Sequence, residues 1–363
     1  MFNVFSPRID VFALDISDLF LKVVQLNMAK KHLPRFAYGQ LEIPEGLVTR
    51  GEIRNEDEFA RLIKQAVARP EQGKIRAKYA AVSLPEEKSF VDVLRLPDLK
   101  KEEIKQAVIF EAANYIPVPL DEVYLGFEII DCPQNVSRGE CVEVLIAATP
   151  RKIVDGYARS LRLAGFRPFL MEVESLSLAR ALVKQNIKHR PLLIIDFGQS
   201  RTGFAIFAGS SLRFTSTIPV SSKEISSLLA SQLKISVREA EQIRQTEGLW
   251  GNQKTLDAIV PALTDLTEQI KKHLDYYHSH NLSADATKTP QRVEKILLCG
   301  SGASLKGLAS FLADSLKIKV ELGNPWVNIF PPSSKEVLPI TLEKSLNYAA
   351  ALGLALGASS YYD

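Results

Sequence analysis

Cysteine, histidine, methionine and tryptophan are all scarce in this sequence. Its 363 residues include three cysteines, three methionines, two tryptophans and five histidines. Cys132, Cys141 and Cys299 form no C-x-x-C pair and have no neighbouring pair of histidines, so the pattern argues against a structural zinc site. Three unpaired cysteines are expected in a reducing compartment rather than in a disulfide-stabilised secreted protein.

Long apolar segments are missing as well. The apolar run near the C-terminus, residues 349–358, has ten residues, whereas a membrane-spanning helix needs about 20. Its alanines and glycines predict a buried helix that packs closely against its neighbours. The first ten residues contain Pro7, Arg8 and Asp10 and lack the apolar core of a signal peptide. The sequence therefore predicts a cytoplasmic protein.

Neither sign of charge dominates the chain. The 45 lysines and arginines and the 42 acidic residues are interspersed, and the formal net charge is +3. Nucleic-acid-binding proteins usually concentrate basic residues in a block or stripe, so no nucleic-acid partner is expected. Hydrophobic residues make up 46% and charged residues 24%, as in ordinary globular proteins, and the length leaves room for two cores.

Predicted strands alternate with predicted helices, which indicates an α/β protein. The predicted strands are 11–16, 20–26, 35–41, 79–84, 169–173, 191–196, 202–207, 212–218, 296–299 and 317–322. The predicted helices follow Asn55 (with Glu58 as in a capping box) and span 153–164, 175–188, 221–233, 238–247, 256–280, 305–316 and 341–356. Residues 283–291 are predicted to form a loop. Residues 86–150 predict a strand, a helix and two further strands, a compact insert.

One internal echo points to a ligand. An apolar strand ends in Asp15 and returns after a short polar turn to a strand that carries Lys22. A second apolar strand ends in Asp196 and returns through Gly198 to Thr202. Small turn residues let backbone N–H groups face an oxyanion, and an aspartate can hold Mg²⁺ through water. Two such hairpins suggest that the protein has two similar halves, which together bind a phosphate chain. Either hairpin alone could be an ordinary turn.

A third element is a strand that runs into Gly300-Ser301-Gly302-Ala303, where glycines allow a close approach to a ligand. The spacing imitates a dinucleotide-binding fingerprint, but Leu305 occupies the place of the third glycine. A Walker A motif is absent because the residues from Gly302 to Lys306 lack both its spacing and its Ser or Thr. The dinucleotide interpretation is therefore not favoured.

These three elements resemble, in their order, the phosphate-1, phosphate-2 and adenosine motifs of the superfamily of actin, heat-shock chaperones and hexokinase. Within it, the sequence is similar to the PilM family of type IV pilus assembly proteins, which are relatives of the division protein FtsA. The supporting segments are 83–85, 95–97, 110–119, 171–180, 240–244 and 300–307, and Glu-Ala-x-x-Tyr-Ile-Pro-x-Pro is the most family-specific of them. The resemblance covers nearly the whole chain.

The resemblance implies an actin-like ATPase fold, in which two ribonuclease H-like halves surround a nucleotide cleft. The first half would comprise residues 1–85, 151–190 and 340–363, and the second half residues 191–339. Residues 86–150 would form the small inserted subdomain with its strand–helix–strand–strand order.

The resemblance also implies roles for individual residues. Asp15 and Asp196 would lie near a magnesium ion that ATP carries. The residues expected to face the phosphates are Ser17, Lys22, Gly198, Ser200 and Thr202. Gly300, Gly302 and Ala303 would bound the adenosine, and Glu241 and Arg244 match a helix that contacts ribose and base in relatives, the alternative being an exposed polar helix face. Glu174 is a candidate for positioning an attacking water, or for a structural hydrogen bond.

The function implied is that of a scaffold rather than a metabolic enzyme, with at most slow ATP hydrolysis. Such a scaffold binds MgATP and the short cytoplasmic N-terminal peptide of a PilN-like inner-membrane protein, in a groove between the first half and the insert. Its membrane contact would be indirect and peripheral, at the inner face of the cytoplasmic membrane, and self-association is a further expectation.

Two departures from the family pattern keep alternatives open. Ser17 stands where the family usually has glycine, and Asp18 places a negative charge close to the expected phosphate. A degenerate actin-like module without nucleotide is therefore one alternative. A small-molecule kinase of the same superfamily is another, although the sequence offers no clear catalytic base. An FtsA-like division role is not favoured, because no membrane-anchoring C-terminal helix is evident.

Overall fold

The computed structural model describes residues 9–27, 35–97, 99–130, 141–185, 189–280, 292–330 and 338–360. Its strands are β1 (Val11–Ile16), β2 (Phe20–Asn27), β3 (Arg35–Glu42), β4 (Val48–Thr49), β5 (Glu52–Ile53), β6 (Tyr79–Leu84), β7 (Phe90–Pro97), β8 (Val123–Ile130), β9 (Cys141–Pro150), β10 (Arg167–Val173), β11 (His189–Phe197), β12 (Thr202–Gly209), β13 (Ser211–Ile218), β14 (Lys295–Cys299) and β15 (Lys319–Leu322). Its α-helices are α1 (Glu56–Ala68), α2 (Lys101–Tyr115), α3 (Arg151–Leu163), α4 (Glu174–Leu182), α5 (Ser222–Leu233), α6 (Val237–Thr246), α7 (Gln253–His280), α8 (Leu308–Leu316), α9 (Leu342–Leu346) and α10 (Ala349–Ser360). The predicted loop 283–291 lies outside the described residues.

Two five-stranded sheets share one topology. The first has the order β3-β2-β1-β6-β10, and the second has the order β13-β12-β11-β14-β15. In each sheet the first three strands form an antiparallel meander, and the last two run parallel to the central strand. The internal echo of the sequence thus corresponds to β1–β2 and β11–β12, which occupy equivalent places in the two sheets.

A third sheet has the order β7-β9-β8 and is entirely antiparallel. Helix α2 covers one of its faces through a small core that includes Leu94, Ile104, Val108, Val144 and Ile146. The strand–helix–strand–strand order predicted for this insert is the order observed. The exact boundaries of the subdomains stay predictions.

Helices cover the two large sheets. Helices α1 and α3 pack on the first sheet in one core, and α10 packs on its other side against β1, β2, β6 and α4. The predicted close packing of the small-residue segment is observed, since a Cβ added at Gly353 would lie 1.8 Å from the carbonyl oxygen of Ser177. Within the described part of the chain, none of the helices combines the length and hydropathy needed to cross a bilayer.

Two predicted helices differ from the structure. Helix α4 ends at Leu182 instead of continuing to residue 188, because the Asn328 side-chain amide donates to the carbonyls of Arg180 and Val183 at 2.9 and 2.7 Å and so ends the helix. The single C-terminal helix predicted for 341–356 is two helices, α9 and α10. The carbonyl of Leu346 at the break accepts a hydrogen bond from the Gly300 N–H at 3.1 Å.

Candidate functional site

A cleft lies between the two large sheets, at the ends of β1, β6, β10, β11 and β14. These strands are parallel within each sheet, so their carboxyl ends meet at one edge. Eight of the predicted site residues line this cleft: Asp15, Ser17, Lys22, Glu174, Asp196, Gly198, Ser200 and Gly300. The space between the lining side chains is only about 50 Å³.

The first hairpin presents Asp15 and Lys22, which face each other across β1 and β2. The Lys22 ammonium lies 3.4 Å from Asp15 Oδ2, and the Ser83 hydroxyl donates to Asp15 Oδ1 at 2.9 Å. Asp15 is 4% exposed. This buried carboxylate is therefore fixed by one charged and one neutral partner on its own sheet.

The two residues that depart from the family pattern both have local partners. Ser17 Oγ accepts hydrogen bonds from the N–H groups of Leu19 and Phe20 at 3.4 and 3.0 Å, which closes the hairpin turn. The Asp18 carboxylate accepts from the N–H groups of Arg50 and Gly51, each at 2.9 Å. Both of those residues have positive φ, so Asp18 stabilises a strained turn instead of facing the phosphate position.

The second hairpin presents Asp196, Gly198 and Ser200. The Gly198 N–H donates to the carbonyls of Asp196 and Arg201, both at 3.0 Å, and a Cβ at Gly198 would lie 2.7 Å from the latter oxygen. The Gly198 carbonyl accepts from the N–H of Ser222 at 3.0 Å, at the start of α5. This hydrogen bond anchors the turn to the first residue of α5.

Thr202 does not face the cleft, contrary to the prediction. The register pairs Asp15 with Lys22 and Asp196 with Gly203, so the structural counterpart of Lys22 is Gly203. Because side chains alternate along a strand, Thr202 points to the opposite face of the sheet. It is fully buried, and its hydroxyl donates to the Val220 carbonyl at 2.6 Å.

The glycines of the third element have a packing role. Gly300 has a φ of +88°, and a Cβ there would lie 2.2 Å from Asp196 Oδ1. A Cβ at Gly302 would lie 2.4 Å from the Phe197 ring. Both glycines thus let this loop pack on the second hairpin. Gly302 and Ala303 are buried and, unlike Gly300, do not line the cleft.

Glu241 and Arg244 lie on α6 and do not line the cleft either. Glu241 is half-buried, whereas Arg244 is only 2% exposed. The Arg244 Nε donates to the Ser226 hydroxyl of α5 at 3.1 Å, and burial lowers the pKa of this guanidinium below its usual range. In the conformation described, Arg244 braces α5, and its Nη1 is buried without a hydrogen-bond partner among the described residues.

Sequence reasoning missed several residues that line the cleft, among them Glu86, Arg201 and Asn347. Arg201 follows Ser200 in the second turn, and Glu86 follows β6 by two residues. The signal that could have identified them is their position, since both come just after a predicted strand, 79–84 for Glu86 and 191–196 for Arg201. Asn347 could not be found in this way, because it lies in an interrupted helix that the sequence predicts as continuous.

The carboxyl groups of the cleft perturb one another. Burial raises the pKa of Glu174 well above its usual range, and the negative charges of Asp15 and Asp196 raise it further. Burial also raises the pKa of Asp196, although Lys22 opposes this shift and Glu174 is hydrogen-bonded to Asp196. Cys299 is the register partner of Asp196 on the neighbouring strand β14, and burial raises the pKa of its thiol. Excess negative charge in this cleft favours protons or cations.

The chemistry of the cleft fits a polyphosphate carried by magnesium. Within the described residues, no group of three or more His, Cys, Asp and Glu side chains has the geometry to hold a metal ion directly. Asp15, Asp196 and Glu174 do face one space, and Glu86 Oε1 is buried without a hydrogen-bond partner in the part of the chain described. Such carboxylates suit Mg²⁺ that keeps its waters. The volume of the cleft in this conformation is nevertheless too small for such a ligand, because pockets that hold small molecules usually have about 300 Å³ or more.

A second and larger cavity, which we call the groove, lies between the insert and the first sheet. It holds about 360 Å³. Residues 124–128 of β8 form one wall, and Met171, Glu172 and Val173 of β10 form part of the other. Strands β8 and β10 are the edge strands of their sheets. Glu172 is held by the Ser177 hydroxyl at 2.8 Å and by Arg180.

The two matching halves and the cleft between them define an actin-like protein. The structure of the ethanolamine utilization protein EutJ from Carboxydothermus hydrogenoformans is 16% identical with a TM-score of 0.55, covering 98% of this chain and 91% of that chain. MreB 5 of Spiroplasma citri bound to AMPPNP is 11% identical with a TM-score of 0.53, covering 97% and 96%. These similarities confirm the predicted actin-like fold.

The chain belongs to the family of type IV pilus assembly protein PilM, whose profile matches residues 13–359. The solved PilM-PilN type IV pilus biogenesis complex includes a chain that is 26% identical with a TM-score of 0.77, and the match covers 98% of this chain and 100% of that chain. The cell division protein FtsA of Bacillus subtilis is 21% identical in a 256-residue alignment that covers 63% of this chain and 57% of FtsA. The chain thus spans less than two thirds of that curated relative. The predicted family is confirmed.

Proposed function

We propose that this chain is a nucleotide-binding scaffold of the type IV pilus assembly machinery, with one site in the cleft and another in the groove. The observation that carries the proposal is the equivalence of Asp15 and Asp196, which end the central strands of two sheets with one topology and face one cleft. MgATP is the proposed ligand of the cleft, and the similarity to actin-like proteins of known structure supports it.

The residues that would hold MgATP come from both halves. Lys22 and the turn from Gly198 to Ser200 would face the phosphates, and Asp15 and Asp196 would meet the magnesium ion through its waters. When bound, the nucleotide would supply negative charge that bridges the two hairpins. Because the present space is small, the two halves must first separate, so affinity would depend on the population of an open form.

The groove is the proposed docking site of a membrane partner. The partner is the cytoplasmic N-terminal peptide of a PilN-like inner-membrane protein, as suggested by the similarity to the PilM-PilN complex. The exposed edge of β8 offers backbone groups to an extended peptide, and Leu176 and Met171 offer apolar contacts. Glu128 on the same wall would favour a basic residue in the peptide. The chain would then be cytoplasmic and held peripherally at the inner membrane.

Hydrolysis of ATP is proposed to be slow, well below the roughly 10 s⁻¹ that is typical of enzymes. Glu174 lines the cleft, but its partners there are Arg201 and Asp196 rather than a position for an attacking water. Glu174 thus has a structural role in the closed cleft. A scaffold needs the nucleotide as a bridge between halves, and it does not need turnover.

Thermal unfolding of the full chain tests the proposal. A ligand that binds only the folded state raises the melting temperature, so MgATP should raise it and ATP with a chelator should raise it much less. A synthetic peptide with the N-terminal sequence of the host's PilN should raise it independently. No shift with millimolar MgATP would instead favour a degenerate module that binds only the peptide, and release of phosphate at tens per second would contradict the scaffold.

A further inference from the structure

Arg201 connects the two halves across the cleft. It lies in the turn between β11 and β12 of the second sheet, and its side chain is 12% exposed. Its Nη1 lies 3.2 Å from Glu87 Oε1, and its Nη2 lies 3.8 Å from Glu174 Oε2. Asp18 Oδ1 is 4.0 Å from Nη1. All three acids follow strands of the first sheet, so one guanidinium carries an ionic contact from one half to the other.

Asp18, one of the three acids that form the socket for Arg201, is held by the first half itself. The turn of Arg50 and Gly51 holds Asp18 through two N–H groups. Gly51 packs on Pro85, to which an added Cβ would come within 2.4 Å. The buried Tyr157 hydroxyl donates to the Gly51 carbonyl at 3.0 Å. The first half thus holds Asp18 in place through contacts that do not involve the guanidinium.

Separation of the halves would break these contacts. The closed cleft holds about 50 Å³, which is far less than the space that a nucleotide needs, so a nucleotide enters only when the hairpin of Asp196 moves away from the first half. That movement takes Arg201 from Glu87, Glu174 and Asp18. Opening replaces the contacts of one guanidinium with three carboxylates by contacts with water, and such a network contributes more than an isolated surface pair, so the contacts oppose opening.

We propose that Arg201 is a latch that holds the cleft closed in the absence of a ligand and thereby lowers the affinity for polyphosphates. The choice of ligand rests on the proposed function, but the latch itself does not. The competing interpretation is that Arg201 binds a phosphate group directly. The two interpretations predict opposite changes in affinity when Arg201 is substituted. Removal of a latch strengthens polyphosphate binding, whereas removal of a phosphate contact weakens it.

The test uses the full chain with Arg201→Gln and Glu87→Gln. The first change removes the guanidinium, and the second weakens the socket without removing any positive charge from the cleft. Arg190→Gln is the matched control, because Arg190 forms an exposed pair with Glu294 at 2.6 Å, outside the cleft. Two quantities are measured: the affinity for MgATP by calorimetry, and amide hydrogen exchange without nucleotide in peptides that cover 172–177 and 196–203.

The latch predicts faster exchange in both peptides for Arg201→Gln. It also predicts an affinity for MgATP about three- to tenfold higher, with Glu87→Gln changing both quantities less but in the same direction and Arg190→Gln unchanged. Weaker MgATP binding by Arg201→Gln would overturn the latch and assign the residue to the phosphates, and unchanged exchange would overturn it as well. Faster exchange in a protein that binds no nucleotide in any variant would keep the latch and reject the proposed ligand. If Arg201→Gln does not fold, Glu87→Gln distinguishes the two interpretations by the same changes in exchange rate and in affinity.

Discussion

Val173 and Glu174 are consecutive residues, yet they line different cavities. Val173 ends β10 and lines the groove, whereas Glu174 begins α4 and lines the cleft. Leu84 and Glu86, at the end of β6, are divided between the two cavities in the same way. The Ser175 N–H donates to Glu86 Oε2 at 3.1 Å and joins these two chain segments. The cleft and the groove are therefore connected through one short junction.

This junction predicts that the two proposed ligands influence each other. We expect MgATP to change the affinity of the groove for a PilN-like N-terminal peptide by about fivefold or more. Linkage requires that the peptide change the affinity for MgATP by the same factor, which serves as an internal control. Calorimetric titrations of each ligand, with and without the other, measure both factors. Equal peptide affinities in the two titrations would show that the junction does not couple the two sites.

Gly126 offers a way to close the groove while keeping the fold. It lines the groove, and a Cβ there would meet no atom closer than the Ala147 carbonyl oxygen at 3.9 Å. We expect Gly126→Leu to reduce peptide affinity about tenfold or more while MgATP still raises the melting temperature as in the wild type. Ala113→Leu, on an exposed position of α2, is the matched control and should bind peptide normally. Normal peptide binding by Gly126→Leu would place the peptide elsewhere.

Glu143 connects the insert to the second half through its ion pair with Arg213. It lies on β9 with a fully buried side chain, and it accepts from Arg95 Nε at 3.0 Å and pairs with Arg213 of β13. Glu143→Ala leaves Arg213 without its partner, so we expect a loss of about 3–5 kcal/mol in the free energy of unfolding by urea. Glu321→Ala, which removes exposed pairs, should cost no more than about 1 kcal/mol. Similar losses for the two variants would contradict this account.

The raised pKa of Glu174 predicts that the stability of the protein depends on pH. Its pKa is raised in the folded protein, so the folded state holds a proton that the unfolded state releases, and stability falls as the pH rises above the ordinary glutamate pKa of about 4.3. Glu174→Gln cannot lose that proton. We expect this variant to be more stable than the wild type at pH 8, with a difference that shrinks towards pH 4. Urea unfolding across this range measures it, and lower stability at pH 8 would contradict the assignment.

Much of the fold was accessible from the sequence because its signals are local. Apolar strands bounded by polar turns predicted the central strands, and Asn55 caps α1 by accepting from the Glu58 N–H as expected. The repeated strand–Asp–turn unit predicted two similar halves, and the two sheets do share one topology. The early end of α4 was not accessible, since the side chain that ends it, Asn328, is distant in sequence.

The site was accessible only in part, for the same physical reason. The positions of Asp15 and Asp196 follow from strand ends, which local pattern identifies. The direction of Thr202 depends on the strand register, which in both hairpins pairs the aspartate with the residue seven positions later, Lys22 or Gly203, so that Thr202 lies on the other face. The burial of Arg244 depends on α5, which packs against it. The hydrogen bond from Arg201 to Glu87 joins residues that are 114 positions apart along the chain.

Calorimetric titration of MgATP into the wild type, Asp196→Ala and Asp15→Ala tests the central claim most directly. The account predicts one saturable site in the wild type that is lost with a chelator. It predicts a loss of affinity of at least about tenfold for Asp196→Ala and a smaller loss for Asp15→Ala, because Gly198 and Ser200 keep a phosphate-binding turn that the first hairpin has closed with the Ser17 hydroxyl. Absence of binding by the wild type, or binding that neither substitution weakens, would contradict a nucleotide held between the two hairpins.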